Sequence, residues 1–256
     1  MTYLTTVLAD APVHFWRCAD PGGGVLNDIG SVPLALEISG SGPELAYTGP
    51  NSDGGSCVIS NNVGFHYMDM ESTSLPCSFE FWIFQYYRLA ALQCPFAAED
   101  NAGATMGTCR LTGAGQMQAF PPNGTLTDPT AMTTQAWHHW LLAADTAGAN
   151  LYRDGGLVAN AGGVAATTIT CRFGIGARAT PQNGNPCAAA ISEGAVYHTK
   201  LSAARALAHF NAADQRTQPP ISKQFGTFSL SGGIATLSAD EAALILASVR
   251  KTFVNL

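Results

Sequence analysis

The sequence predicts an all-β chain: an antiparallel β-sandwich with a short closing helix and a small C-terminal hairpin-helix extension. Three observations carry that prediction. The run Trp137 to Gly155, WHHWLLAADTAGANLYRDG, alternates with a period of two, turns tightly at Ala147-Gly148-Ala149 and returns to an Asp154-Gly155 turn signal. Short apolar runs separated by Gly, Pro and Asn clusters fill residues 1 to 200, as in a sheet built from hairpins. The chain of 256 residues is 46% hydrophobic, enough for one well-buried sandwich and something extra.

Candidate strands occupy residues 13–18, 55–60, 78–85, 90–96, 105–111, 116–120, 136–144, 149–154, 169–175 and 188–197. Many short strands with almost no helix among them make a jelly roll the natural architecture. A helix follows, with Ser202 as N-cap and Ala203, Leu207 and Phe210 recurring at helical spacing. It is expected to pack onto one end of the sandwich. The first domain is therefore placed at residues 1–216.

Residues 217–256 read differently. Thr217-Gln218-Pro219-Pro220 is a stiff linker, and Phe225 to Leu237 forms a hairpin around Ser231-Gly232-Gly233. Ser238-Ala239-Asp240-Glu241 is a capping box opening an apolar helix. A hairpin and helix of this size bury too little surface to stand alone. Phe228, Leu230, Ile245, Leu246 and Val249 are accordingly assigned as docking residues, toward the sandwich, a second copy or another protein.

Composition narrows the function classes. Only 12% of residues are charged, about half the roughly 25% of an ordinary soluble domain, which suits a protein locked into a larger assembly. The net charge of −6, with Arg and Lys scattered singly, argues against nucleic-acid binding. No apolar run reaches the roughly 20 residues of a membrane span. The N-terminus lacks the basic region of a secretory signal. Seven cysteines, an odd number without close spacing, read as buried apolar side chains rather than bridges or zinc ligands. Synthesis in a reducing cytoplasm is the expectation.

Several segments together point to a known family. Tyr3-Leu4 through Val7-Leu8-Ala9-Asp10, Pro12-Val13 and Phe15-Trp16-Arg17 form one opening motif. Tyr47-Thr48-Gly49-Pro50 with Asp53-Gly54-Gly55-Ser56, and Ser78-Phe79-Glu80-Phe81-Trp82-Ile83, form two more. The central Trp137-His138-His139 hairpin and the closing Ala190-Ile191-Ser192-Glu193-Gly194-Ala195-Val196-Tyr197 with Leu201-Ser202 complete the set. In this order over residues 3 to 213 they resemble the laminin-G-like (concanavalin A-like) jelly-roll family, of the kind found in tailed-bacteriophage virion proteins.

The resemblance implies a scaffold that binds rather than converts. Relatives often hold calcium at the sandwich rim through oxygen ligands, which here makes Asn27, Asp28 and Asp53 candidate ligands. Ser192 stands where the family's closing motif has Asp, and Ala189 where a Gly is common. The resemblance also implies lectin function, for which exposed aromatics and amides are needed. Tyr86, Tyr87, Asn183 and Asn185 are the candidates, with Phe65-His66-Tyr67 as a further aromatic group.

Enzymatic chemistry finds less support in the residues. No E-x-D-x-x-E series sets two carboxylates on one face of a strand, as a jelly-roll glycosidase needs. Glu99 and Asp100 are adjacent and face opposite ways, and Asp69 with Glu71 lack a third partner. His138 and His139 likewise cannot share a ligand, and no G-x-S-x-G elbow is present. Asn123-Gly124-Thr125 is read as a plain turn. The expectation is a chain that is not an enzyme: a structural virion protein of a tailed bacteriophage, in a capsid decoration, fibre or tail-surface role. Its expected partners are other virion proteins and further copies of itself, with a host-surface glycan as ligand. The alternative is a carbohydrate-binding module, assisted by calcium.

Overall fold

The computed structural model describes residues 2–20, 25–38, 44–51, 55–59, 65–66, 71–122, 124–178, 187 and 189–214, with the backbone alone at 38, 44–46, 55–59 and 65–66. The chain begins with α1 (Tyr3–Leu8), β1 (His14–Trp16), β2 (Val25–Leu26), β3 (Leu36–Ile38), β4 (Glu44–Thr48), β5 (Gly55–Ile59), β6 (Phe65–His66) and β7 (Glu71–Ser74). It continues with β8 (Cys77–Gln85), β9 (Gln93–Glu99), β10 (Thr108–Leu111), β11 (Met117–Phe120), β12 (Leu126–Thr127), β13 (Trp137–Asp145) and β14 (Gly148–Arg153). The last elements are β15 (Gly156–Gly162), β16 (Thr168–Ile175), β17 (Ala189–Tyr197) and α2 (Ala203–Ala212).

These strands make two antiparallel sheets. The eight-stranded sheet runs β15-β14-β13-β8-β17-β5-β4, with β1 also paired to β17. The nine-stranded sheet runs β12-β11-β10-β9-β16-β6-β3-β2, with β7 also paired to β16. Between them lies the main core, where Phe79, Phe81 and Ile83 of β8 and Trp140 and Leu142 of β13 meet Phe96, Cys109, Phe173 and Ile175. The predicted jelly-roll sandwich is therefore the observed architecture.

The eight-stranded sheet is covered on its other face as well. Trp82 and Phe84 of β8, Trp137 and Leu141 of β13, and Tyr197 of β17 form a second apolar cluster with Tyr3 and Val7 of α1 and Ala206 of α2. This explains why β8 and β17 are buried at every position and read as nearly continuous apolar runs, as strands buried on both faces do. Helix α2 thus lies on the face of the sheet, not at the end of the sandwich as expected. Phe210 stacks on Trp82 (centroids 5.9 Å apart) because the large outward aromatics of β8 and β13 demand a cover.

Helix α1 was not anticipated. Thr5, Thr6 and Val7 are weak helix formers, but the Thr2 side chain caps the first turn and Tyr3 and Val7 are buried on the sheet. Strand β9 begins at Gln93, three residues later than expected. Pro95 lacks an N–H and sits at a shift of register against β10, the position in which a central strand tolerates proline.

One buried carboxylate ties the second cluster together. Glu80, at the middle of β8, is fully buried. Its Oε1 accepts hydrogen bonds from Tyr3 Oη and His139 Nε2, both at 2.7 Å. Its Oε2 accepts from Tyr197 Oη at 2.7 Å and His209 Nδ1 at 2.8 Å. His209 donates its other N–H to Asp10 Oδ2 at 2.7 Å, and Arg205 Nε donates to the same oxygen. His209 thus bridges two carboxylates, which calls for the doubly protonated imidazolium.

Burial alone would raise the pKa of Glu80, but the His209 charge and the His139 hydrogen bond reverse this and hold it well below its ordinary 4.5. Burial alone would lower that of His209, and Glu80 with Asp10 reverse it, so the group sits above its ordinary 6.5. The contribution of Glu80 to stability is complete above its unfolded value and is lost as pH falls through the folded one. That of His209 is complete below its unfolded value and is lost as pH rises through the folded one. The network therefore contributes most between about pH 4.5 and 6.5. Glu80→Gln leaves the His209 imidazolium without its buried counter-charge and is expected to cost about 3–5 kcal/mol in urea unfolding at pH 6. It should also flatten the loss of thermal midpoint between pH 6 and 9; an unchanged pH profile would count against the imidazolium.

Candidate functional site

Tyr86 and Tyr87 lie in the turn after β8, but the fold treats them differently. Tyr86 is half-buried, with its ring edge-on to Phe84 at 5.2 Å. Tyr87 is 56% exposed and stands free of the cores. The turn that presents it is held on both sides. Arg88 donates to the carbonyl of Met132 at 3.1 Å, and Gly113 and Gly115 leave room for Ala90 and the Arg88 guanidinium, respectively, where a Cβ would collide. Gly115 has φ +82°, so its lack of a side chain is required twice over. An exposed phenol ring on a braced turn is an aromatic platform suited to an apolar sugar face.

The start of β17 lies beside this turn, with Ala189 opposite Gln85. Asn183 and Asn185 lie outside the described residues, as do Asp53, Tyr67, Asp69 and the docking residues Phe228, Leu230, Ile245, Leu246 and Val249. The side chains of Phe65, His66 and Cys57 lie outside them too.

Asn27 and Asp28 are elsewhere. The strand β1 that borders them pairs with β17 at Trp16–Gly194, five residues along from Ala189, or roughly 17 Å. Asn27 donates through its side-chain amide to Asp20 Oδ1 and through its backbone N–H to Oδ2. The Asp28 side chain is buried, and its two oxygens take four hydrogen bonds. Oδ1 accepts from the N–H of Phe15 and of Gly30, both at 2.7 Å; Oδ2 accepts from the N–H of Leu34 and from His14 Nδ1, both at 2.8 Å. His14 in turn reaches Glu71 Oε2 at 2.9 Å through Nε2 and stacks on Trp16. Burial alone would lower the His14 pKa, but the Asp28 and Glu71 contacts raise it. The carboxylate of Asp28 thus organises the β1–β3 loops. Among the described residues no group of three or more His, Cys, Asp or Glu is arranged to hold a metal ion.

The closing motif forms a second rim feature. Between Ser192 and Ala195 the pairing of β17 with β8 shifts register, and Glu193 adopts φ 54°. Its carboxylate turns inward to Arg17, whose Nε and Nη2 donate at 3.2 and 3.1 Å, and to Asn51 Nδ2 at 3.1 Å. His138 and His139 face apart as expected. His138 contacts Asp154 at 2.8 Å and Thr133 at 2.7 Å, while His139 meets Glu80. Six cysteines, Cys18, Cys77, Cys94, Cys109, Cys171 and Cys187, are free and buried. Burial pushes the thiols of Cys77 and Cys109 up to about 12, so neither is a nucleophile.

Sequence reasoning missed His209. It sits mid-helix without a motif, and nothing local announces that its partner is Glu80, 129 residues away.

Comparison with known proteins follows from this geometry. The sequence profile of the concanavalin A-like lectin/glucanases superfamily (Laminin_G_3) matches residues 67–206, more than half of the chain. No curated protein matches by sequence. A mutant of Trypanosoma rangeli sialidase displaying trans-sialidase activity superposes with a TM-score of 0.62 at 13% identity, covering 82% of this chain and 34% of that one. The chain therefore spans about a third of the sialidase chain it matches. Domain 4 of AbnA, a GH43 extracellular arabinanase from Geobacillus stearothermophilus, in complex with arabinotriose, gives a TM-score of 0.60 at 14% identity, covering 79% of this chain and 98% of that one.

These likenesses correct one expectation. The lack of a local carboxylate series predicts a chain that is not an enzyme, but these two matching sandwiches belong to a sialidase and to a GH43 arabinanase. At this identity what is shared is the fold alone. A pattern along one strand is no test of such a fold, because a sandwich assembles its side chains from several strands.

Asp28→Ala leaves the N–H groups of Phe15, Gly30 and Leu34 without their acceptor. The expected cost is on the order of 3 kcal/mol of unfolding free energy, equal in calcium and in chelator when followed by thermal unfolding. A loss seen only in calcium would instead make Asp28 a metal ligand.

Proposed function

We propose that this chain, which belongs to the concanavalin A-like lectin/glucanases superfamily, recognises carbohydrate, with Tyr87 as a stacking platform at the rim of the sandwich. The observation that carries the reading is the exposure of Tyr87, the one large aromatic exposed among the described residues, on a turn braced by Arg88. An aromatic face of this kind gains most when it need not be ordered on binding. The arabinotriose held by the arabinanase domain, a sandwich of like fold, supports the reading.

A second reading concerns where the sandwich works. The low charge content of 12% and the opening segment Tyr3 to Arg17 favour a component of a tailed-bacteriophage virion. In it the sandwich, residues 1–216, displays the binding face and residues 217–256 dock it to other virion proteins or to further copies. The two readings are compatible, because a virion lectin satisfies both.

Screening immobilised glycans with and without calcium should identify a bound saccharide, and Tyr87→Ala should weaken that binding about tenfold without moving the thermal midpoint. Full binding by the variant would remove Tyr87 from the site. For the assembly reading, light scattering behind size exclusion should find a defined oligomer for the full chain and a monomer for residues 1–216. Two monomers would sink it.

A further inference from the structure

The arginines that are scattered along the sequence are gathered by the nine-stranded sheet. Arg110 on β10, Arg172 on β16 and Arg178 just beyond β16 converge on its outer face around one carboxylate, Glu99 of β9. Arg178 grips that carboxylate with Nε at 3.1 Å from both oxygens and Nη2 at 2.9 Å from Oε2. Arg110 Nη2 is 3.9 Å from the same Oε2. Arg172 is the direct cross-strand neighbour of Glu99, yet no ion pair joins them among the described residues.

Glu99 is buried and can balance only one of the three cations. The neighbouring Asp100 is turned to its own loop, where Oδ1 accepts from the N–H of Ala102 and Ala104. Glu37 on β3 stands two strands away from β16. Among the described residues, three guanidinium groups thus share the single carboxylate of Glu99 at half-buried positions, where screening by water is reduced. The Nε atoms of Arg110 and Arg172 are buried and have no hydrogen-bond partner among the described residues, which a native fold rarely leaves so without a ligand or water.

The cluster lies within a polar band. Arg110 faces Gln118 of β11 and Gln118 faces Thr127 of β12, its amide donating to the Thr127 hydroxyl at 3.4 Å. On the far side, Ser72 of β7 and Thr170 of β16 share a 3.4 Å hydroxyl contact. Arg110 also lies over the ring of Phe120, 4.6 Å from its centroid. Hydroxyls, an amide, an aromatic ring and unbalanced guanidinium groups therefore form a row across six strands, roughly 24 Å at the usual strand spacing.

We infer that this face binds an acidic saccharide, with the sugar carboxylate taken by Arg110 and Arg172 and the neutral sugars lying along the flanking band. The guanidinium fork matches a carboxylate with two parallel hydrogen bonds. The excess is two charges on a chain of net −6, which suits one carboxylate on an otherwise neutral oligosaccharide and not a polyanionic nucleic acid. The inference rests on the carbohydrate reading above and gives it a chemical class of ligand.

Calorimetry on the full chain at low salt tests it with sialyllactose and aldotetrauronic acid, each bearing one carboxylate, against lactose and xylotriose as neutral counterparts. At least one acidic sugar should bind tenfold more tightly than its neutral counterpart, weakening as salt is added, and which one binds names the source of the carboxylate. Arg172→Gln and Arg110→Gln should each remove that preference. Arg172 has no ion pair among the described residues, so its variant should keep the wild-type thermal midpoint. Equal binding of acidic and neutral sugars, or an unaltered preference in both variants, would overturn the inference and leave the carbohydrate reading standing. Binding of single-stranded DNA in place of any sugar, or no binding by any of the four, would overturn both.

Discussion

The carboxylate of Glu80 is the constraint on which the rest of the structure depends. It sits at the centre of a strand buried on both faces, a place where an unpaired charge is prohibitively costly. Its four hydrogen bonds come from α1, β13, β17 and α2. The two phenols, Tyr3 and Tyr197, have pKa values raised well above 10 by burial and by Glu80 itself, so both remain donors. Satisfying this one group therefore fixes where the first and last described helices lie. The helices, in turn, cover the aromatics Trp82 and Phe84 that flank Glu80 along β8.

The two outer faces of the sandwich have different consequences for function. Helices α1 and α2 cover β8, β13 and β17 of the eight-stranded sheet, where Glu80, His139 and Tyr197 hydrogen-bond internally. The nine-stranded sheet carries Arg110, Arg172, Arg178, Gln118 and Thr170 outward, with hydrogen-bonding capacity left over. On the proposed carbohydrate reading, recognition falls to the polar sheet and to the turns at its ends. Tyr87 is at such a turn. Asp28 and Glu193 are at rims too, but their oxygens are consumed in holding β1 to its neighbouring loops, to Arg17 and to Asn51.

Much of the sandwich was legible because alternation is a local property. The 137–155 hairpin pairs as its period of two dictates, with Ala144 opposite Ala149 and Trp140 opposite Arg153. The Ser202 cap of α2 was equally plain. Helix α1 was not, because Thr5, Thr6 and Val7 are weak helix formers and its stability comes from burying Tyr3 and Val7 on the sheet. The start of β9 was misplaced because Ala90 and Ala91 look like strand, while pairing to β16 and the needs of Pro95 decide its position. Of the candidate site residues, Tyr87 is exposed at a turn, where an aromatic after a strand end would place it. Asp28 has the oxygen chemistry expected of a ligand, but the fold has already spent it on backbone N–H groups.

The sequence by itself determined the two-layer β architecture, the central hairpin, the capped closing helix and the buried state of the described cysteines, since each follows from periodicity, turn chemistry or side-chain polarity within a few residues. Only the tertiary structure decided that α2 lies on a sheet face, that Glu80 joins residues 3, 139, 197 and 209, and that three isolated arginines meet at Glu99. Those outcomes depend on strand order and register, which set neighbours between residues as much as 129 apart in the chain, and no local pattern encodes a partner at that distance.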